Sequence, residues 1–245
     1  MWDYIFLGIV QGVFEWIPIS SEGVVVLLSR FMSEGVNPVD LSLFLHLGTL
    51  LAVLIYFRKD WVNIITFKDL KTLKFLFIAT LVSLAVGYPF YKMIRTVALG
   101  NSLLFLMGFG LLITAYFNKK KKSFNLKFNN LAVISGFLQG LAVMPGLSRS
   151  GSTIFGLSFG DMTPSEILRI SYLMSAPAVA ASSLYLIINS SIPVFEAWPA
   201  LVSSFVSGIL TLEIILKLTQ KVNFYKFALA FSMLCFTGAI ISFLF

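Results

Sequence analysis

Long apolar runs alternate with short polar joints along this chain, and six of the runs are long enough to cross a bilayer. They cover roughly 41–57, 75–91, 101–117, 167–188, 197–216 and 227–245; a crossing helix needs about 17–25 mostly apolar residues. Two further stretches, 1–35 and 130–160, are apolar but interrupted. Gly8-Ile9-Val10-Gln11-Gly12 leads to Pro18-Ile19-Ser20-Ser21-Glu22-Gly23. Gly136-Phe137-Leu138-Gln139-Gly140 leads to Pro145-Gly146-Leu147-Ser148-Arg149-Ser150-Gly151. Each is an apolar segment with a Gln-Gly, broken at Pro, then a hydroxyl-rich run closed by Gly. Broken backbone at membrane depth is tolerated only where protein or a watery cavity satisfies it. The pattern therefore predicts a re-entrant pair of short helices in each stretch. The plainer alternative is an ordinary span kinked at Pro, as Pro89 and Pro177 allow.

Three crossings follow each interrupted stretch. An odd number of crossings turns the second copy over. The predicted fold is an all-α polytopic membrane protein with six transmembrane helices plus two re-entrant helix pairs. The whole chain, 1–245, is one membrane domain made of inverted-topology repeats at about 1–117 and 130–245. Paired interruptions in two halves point to a site where the repeats meet.

Composition and charge support this reading. The chain is 58% hydrophobic and 12% charged, with a mean hydropathy of +0.92. The charged share is about half that of a soluble domain. A net charge of +7 raises nucleic-acid binding, but the cations sit in short joints. Thirteen of the eighteen Lys and Arg lie in 58–74, 118–130 and 217–226. Alternating spans put all three joints on one side, and the positive-inside bias makes that side cytoplasmic. Both termini then lie on the outer face of the cell membrane; 1–35 dips in from outside and 130–160 from the cytoplasm. Lys119 to Lys122 are expected to fix topology and touch anionic headgroups. The start, Met1-Trp2-Asp3, lacks the basic region of a cleavable signal. A lone Cys235 makes no internal disulfide, and no Cys/His cluster has zinc spacing.

Arg149 is the first candidate for chemistry, since a charge at membrane depth is costly and calls for a partner. Its planar fork suits phosphate or carboxylate, and Ser148, Ser150, Ser152 and Thr153 surround it. A half-helix starting near Gly151 would aim free N–H groups at the break, an anion site by construction. The alternative is that Arg149 pairs with Glu15 and holds the repeats together. Gln11 and Glu15 share a helix face, and a carboxylate there can hold a hard cation or act as acid or base. Ser20 and Ser21 are candidates for binding phosphate or for nucleophilic attack, and equally for capping the second half-helix. Glu22 is a first-turn acid favoured by the helix dipole. His46, the only histidine, is a candidate proton carrier or a hydrogen bond to a neighbouring helix. Thr163-Pro164-Ser165-Glu166 has the form of a capping box, and Glu213 and Lys217 form an i,i+4 pair.

At these residues the chain resembles the undecaprenyl-pyrophosphate phosphatase family, UppP or BacA. The family motif Pro-Gly-x-Ser-Arg-Ser-Gly-x-Thr stands here as Pro145 to Thr153. A first motif, Glu-Gly-x-x-Glu-Phe-x-Pro-x-Ser-Ser-x-Gly-His, is met by Gly12, Glu15, Pro18, Ser20, Ser21 and Gly23. The resemblance spans essentially the whole length and implies the same architecture, with a site open to the outer face. It implies hydrolysis of a polyprenyl diphosphate to the monophosphate with a divalent cation, Mg²⁺ or Ca²⁺. Carried over, the catalytic residues are Glu15, Ser21 and Arg149, with Glu15 also at the metal. The resemblance also places Ser20 at the reaction centre and has Ser148, Ser150 and Thr153 hold the diphosphate; Gln11, Glu22 and Gln139 are further candidates, from this chain's own residues, for binding substrate. Two departures matter for chemistry: Gln11 replaces a Glu and Val24 replaces the His. Glu22 and His46 are the groups placed to make up for them. The partners are the lipid substrate and the membrane, with no nucleic acid, and a homo-oligomer is compatible with the sequence. A polyprenyl-phosphate transporter or flippase, and a non-catalytic lipid-phosphate-binding paralogue, are the competing functions.

Overall fold

The structure is a computed structural model that describes residues 2–17, 20–32, 37–97, 105, 108–110, 112–113, 115–116, 126–144, 146–189, 194–218, 229, 232–233, 236–237 and 240. Pro18, Pro145, Lys119 to Lys122, Cys235 and most of the expected crossings at 101–117 and 227–245 lie outside them. The described elements are helices: α1 (Trp2–Phe14), α2 (Ser21–Met32), α3 (Pro38–Tyr56), α4 (Arg58–Ile65), α5 (Leu70–Val97), α6 (Phe128–Leu141), α7 (Arg149–Leu157), α8 (Pro164–Asn189) and α9 (Val194–Leu218).

Four of them, Pro38–Tyr56, Leu70–Met93, Ser165–Leu186 and Ala197–Lys217, are long and apolar enough to cross a membrane. Their ends are set by local chemistry. Asn37 caps α3 by accepting from the Val39 and Asp40 amides at 3.0 and 3.3 Å, with Pro38 at the first helical position. Asp69 caps α5 through the Thr72 amide and hydroxyl, at 3.0 and 2.7 Å. The capping box forms at α8: the Thr163 amide donates to Glu166 at 2.8 Å and the Glu166 amide donates back to Thr163 Oγ1 at 3.3 Å. Glu213 pairs with Lys217 at 2.7 Å, and Pro89 and Pro177 lie within continuous helices.

Both interrupted stretches are helix, break, helix. By a rise of about 1.5 Å per residue, α1 and α2 are each about 20 Å long, short of a bilayer core of about 30 Å; α6 and α7 are shorter than that core as well. No half of either stretch is long enough to cross by itself. The joint 58–74, read from sequence as a loop, contains the helix α4. Its charges mark it as a connection, but Trp61 and Ile64 lie three apart and turn inward, Trp61 half-buried and Ile64 buried. Phe67 adopts φ 58° just past it, and the Phe67 and Lys68 amides close onto Ile64 and Asn63 carbonyls at 3.1 and 2.8 Å, a Schellman-type stop.

The packing is reciprocal. α1 lies against α9 and α6 against α5. Each contact runs over a small-residue stripe of the kind that lets membrane helices approach closely. A Cβ at Gly8 would collide with Ala200 and Ser203, one at Gly12 with Ser204, Ser207 and Gly208, one at Gly136 with Ala79, and one at Gly140 with Ser83. α3 packs on α9 and α8, and α8 also meets α5. The largest apolar cluster sits under the first break. Trp16 is buried edge-on against Tyr172 at 5.3 Å, its indole donates to the Gly208 carbonyl at 2.7 Å, and the Tyr172 hydroxyl donates to the Trp16 carbonyl at 2.9 Å. These bonds hold the break that carries Glu15 between α8 and α9.

Candidate active site

The two breaks meet. Ser20, in the residue before α2, accepts from the Gly23 amide at 3.0 Å and from the Gly146 amide of the other break at 3.1 Å. Ser148 caps α7 in the same manner, accepting from the Gly151 amide at 3.0 Å. In both, the cap bonds the amide three residues on, and that residue is Gly. Gly146 adopts φ 93°, in the left-handed region that favours glycine. Gly23 lies so close that a Cβ there would stand 3.1 Å from the Gly146 nitrogen. The N-termini of α2 and α7 thus converge, each with orphan amides and a positive dipole end.

Between them sits a small pocket lined by Glu15, Ser20, Ser21, Ser148, Arg149 and Ser150. Glu15 organises it. One carboxylate oxygen pairs with the Arg149 guanidinium. The other accepts from Gln11 Nε2 at 2.8 Å and from the Ser21 hydroxyl at 2.9 Å, and His46 Nε2 stands 3.2 Å away. Arg149 also donates from its other terminal nitrogen to the Ser171 carbonyl at 3.2 Å, which ties it to α8. His46 Nδ1 lies 2.7 Å from the Ser42 carbonyl; it must carry a proton to make that bond, which turns Nε2 towards Glu15.

A cavity of about 540 Å³ opens beside this pocket, between α3, α5 and α8. Its walls are mostly apolar and include Leu43, Tyr88, Val143, Val179, Tyr185 and Leu186. Glu22, His46 and Arg149 line both spaces, so the apolar cavity and the hydroxyl pocket share one polar junction.

The expected site residues divide by position. Glu15, Ser20, Ser21, Glu22, Ser148, Arg149 and Ser150 gather at the pocket. Gln11 lies behind Glu15 and orients it. Gln139 stands in the cavity wall, donating to Ser83 and to the Met174 carbonyl at 3.3 and 3.4 Å. Thr153 is turned into the helix pair: its hydroxyl reaches the Arg149 and Ser150 carbonyls and lies 2.6 Å from Ser171 Oγ. Val24, where the resemblance implies His, is buried with Leu7, Val10, Leu41 and Leu45. The imidazole at this site comes instead from α3. Sequence reading did not single out Ser171; no motif marks it, because its part depends on α8 lying against α7.

The donor set also tests the expected cation at Glu15. Both of its oxygens are engaged by protein groups, one of them by a guanidinium that would repel a cation. Among the described residues no cluster of three or more His, Cys, Asp or Glu is arranged to hold a metal. Hard divalent cations take six or more oxygen ligands, and these residues do not fit a resident one.

Comparison with known proteins matches residues 4–237 to the family described as bacitracin resistance protein BacA. A protein of Haloarcula marismortui named undecaprenyl-diphosphatase is 34% identical, over 97% of this chain and 96% of the relative. Proteins of the same name from Sulfurisphaera tokodaii and Methanococcoides burtonii are each 32% identical, over 91% and 95% of this chain and 91% and 96% of their own lengths.

Proposed function

The chain belongs to the BacA family, and from that membership we propose that it hydrolyses an undecaprenyl-type polyprenyl diphosphate to the monophosphate and inorganic phosphate. The observation that carries this is the junction of an apolar cavity with a hydroxyl-lined pocket between two helix N-termini. A lipid with a long apolar tail and a doubly phosphorylated head matches both halves. The first isoprene units lie in the cavity, and the rest of the tail leaves between helices into the bilayer. The terminal phosphate enters the small pocket. The relatives carry the name of a hydrolase, so neither the transporter nor the non-catalytic reading is favoured.

Each residue then has a part. Arg149 and the amides at the starts of α2 and α7 stabilise the charge that develops on the phosphoryl oxygens. Phosphoryl transfer depends mainly on positioning and on electrostatic stabilisation of this kind. Ser21 is the nucleophile, its hydroxyl already donating to Glu15 at 2.9 Å. As the Ser21 Oγ–phosphorus bond forms, the bond to the bridging oxygen breaks, and the bridging oxygen leaves with the prenyl monophosphate. Glu15 takes the serine proton, with His46 Nε2 3.2 Å away to share it. Water then attacks the phosphoserine and releases inorganic phosphate, and Ser21 recovers its proton from Glu15. Gln11 and Ser171 hold Glu15 and Arg149 in register.

The architecture in this proposal is six crossings and two re-entrant pairs in inverted repeats, with both termini and the mouth of the site on the outer face. What supports it is the reciprocity of the packing: α1 against α9 and α6 against α5, with equivalent Ser caps at α2 and α7. The test of function is phosphate release from a polyprenyl diphosphate by purified protein, with Ser21→Ala and Arg149→Ala alongside. The proposal expects loss of release in both.

A further inference from the structure

Among the described residues, Glu22 is the one ionisable group at the junction to which the hydrolytic steps give no part. It lies at the second position of α2, is buried, and lines both the pocket and the cavity. Its Oε1 meets no hydrogen-bond partner among the described residues. Titratable and charged groups face it from each neighbouring element. They are Glu15 at the first break, His46 on α3 and Arg149 on α7, with Tyr88 and Tyr91 on α5 and Tyr185 on α8 in the cavity beyond. The two that can carry positive charge are taken up elsewhere. Arg149 is engaged by Glu15 and Ser171, and His46 by Glu15 and Ser42. An ionised carboxylate buried without a partner of its own is too costly to keep, so Glu22 holds its proton at pH 7.

A protonated carboxyl is a hydrogen-bond donor, and this one faces the space where an acceptor is due. The apolar cavity takes the lipid tail, and the pocket beyond takes the terminal phosphate. The phosphate attached to the tail then lies at the junction, against Glu22, and its oxygens accept. Arg149 is already shared with Glu15, so a further neutral donor adds grip on the head without burying another ion. Resting on the hydrolase reading, we propose that Glu22 binds substrate as a neutral acid, donating a hydrogen bond to the inner phosphate of the lipid diphosphate. A buried carboxyl kept neutral so that it can donate is an established device for holding a developing anion. No proton changes hands here. When the bond to the terminal phosphorus breaks, the bridging oxygen keeps the electron pair, the proton stays on Glu22, and the added charge on the inner phosphate strengthens the hydrogen bond.

The experiment measures binding of a prenyl diphosphate to the purified protein in detergent at pH 7 and at pH 9.5, for wild type, Glu22→Gln and Glu22→Met. At pH 7 Glu22→Gln, whose amide also donates, should bind within ~3-fold of wild type. Glu22→Met, of similar size but without a donor, should bind at least ~10-fold more weakly, as expected for a lost hydrogen bond to a charged group. Raising the pH to 9.5 should weaken wild type at least ~10-fold more than it weakens Glu22→Gln, because an ionised Glu22 cannot donate and the amide does not ionise. Equal pH dependence in wild type and Glu22→Gln overturns the proposal. So does Glu22→Met binding as tightly as wild type, or Glu22→Gln binding as weakly as Glu22→Met. If Glu22→Met fails to fold, the comparison of wild type with Glu22→Gln across pH decides alone. Absence of phosphate release by wild type would instead overturn the hydrolase reading, and the binding comparison would still report on Glu22.

Discussion

At the scale of the residue, the neighbouring serines do different work. Ser21 donates to Glu15, whereas Ser20 accepts two amides, one from each break. Ser21→Ala should lower turnover by at least about 100-fold, as expected for loss of a nucleophile, and leave thermal unfolding in detergent nearly unchanged. Ser20→Ala should cost about 1–2 kcal/mol of stability, because it removes a cap and leaves the Gly146 amide without this partner. An unfolding curve paired with a turnover measurement separates the two. The saturation of Glu15 makes a further prediction. Calorimetric titration of Mg²⁺ into lipid-free protein should show no saturable site, and a saturable site abolished by Glu15→Gln would contradict the reading of the carboxylate. Much of this site was legible in the sequence. Ser148, Arg149, Ser150 and Gly151 are contiguous, so their joint role at one helix start needs only local geometry. The part of His46 was not legible. Its contact with Glu15 depends on how α3 packs beside the first break, and a lone His in an apolar run carries no sign of its partner.

Glycine contacts decide the packing at the scale of the element. Gly12 of α1 has no room for a Cβ against α9, whereas a Cβ on Gly208 of α9 would meet Thr49 and Ala52 at 3.3 and 3.6 Å. Gly12→Ala should cost about 1–3 kcal/mol, the range for overpacking a tight contact, and Gly208→Ala much less; the melting temperatures of the two variants check this. Asp69 tests a second joint. It caps α5 and stands 3.7 Å from Arg169, which also pairs with Asp60 of α4. The Thr72 amide holds its carboxyl below the ordinary value, with help from the Thr72 hydroxyl and Arg169. A lowered carboxylate contributes stability above the ordinary carboxylate range and loses it as pH falls below about 5. Asp69→Asn should therefore lower the melting temperature at pH 7 more than at pH 3.5; an equal loss at both would contradict the cap. The four long helices were readable from their apolar runs because a bilayer demands length. The short α4 was hidden by its charges, since a one-sided pair of inward residues in an eight-residue segment looks like a loop.

At the scale of the whole molecule, the two interrupted stretches form one site, in which Ser20 of one break holds Gly146 of the other. The sequence showed that these stretches belong together, but not that α1 would lie on α9 and α6 on α5; that exchange needs the glycine faces to find partners across the chain. The proposed inverted arrangement predicts that single cysteines at both termini, in a Cys235→Ala background, react with a membrane-impermeant thiol reagent from outside intact cells. The central claim is that an apolar cavity and a two-helix anion pocket cooperate to cleave a lipid diphosphate. Phosphate release from a polyprenyl diphosphate by the purified protein tests it most directly. Wild type should give sustained release, lost in Ser21→Ala and in Arg149→Ala; release undiminished in both variants would contradict the claim.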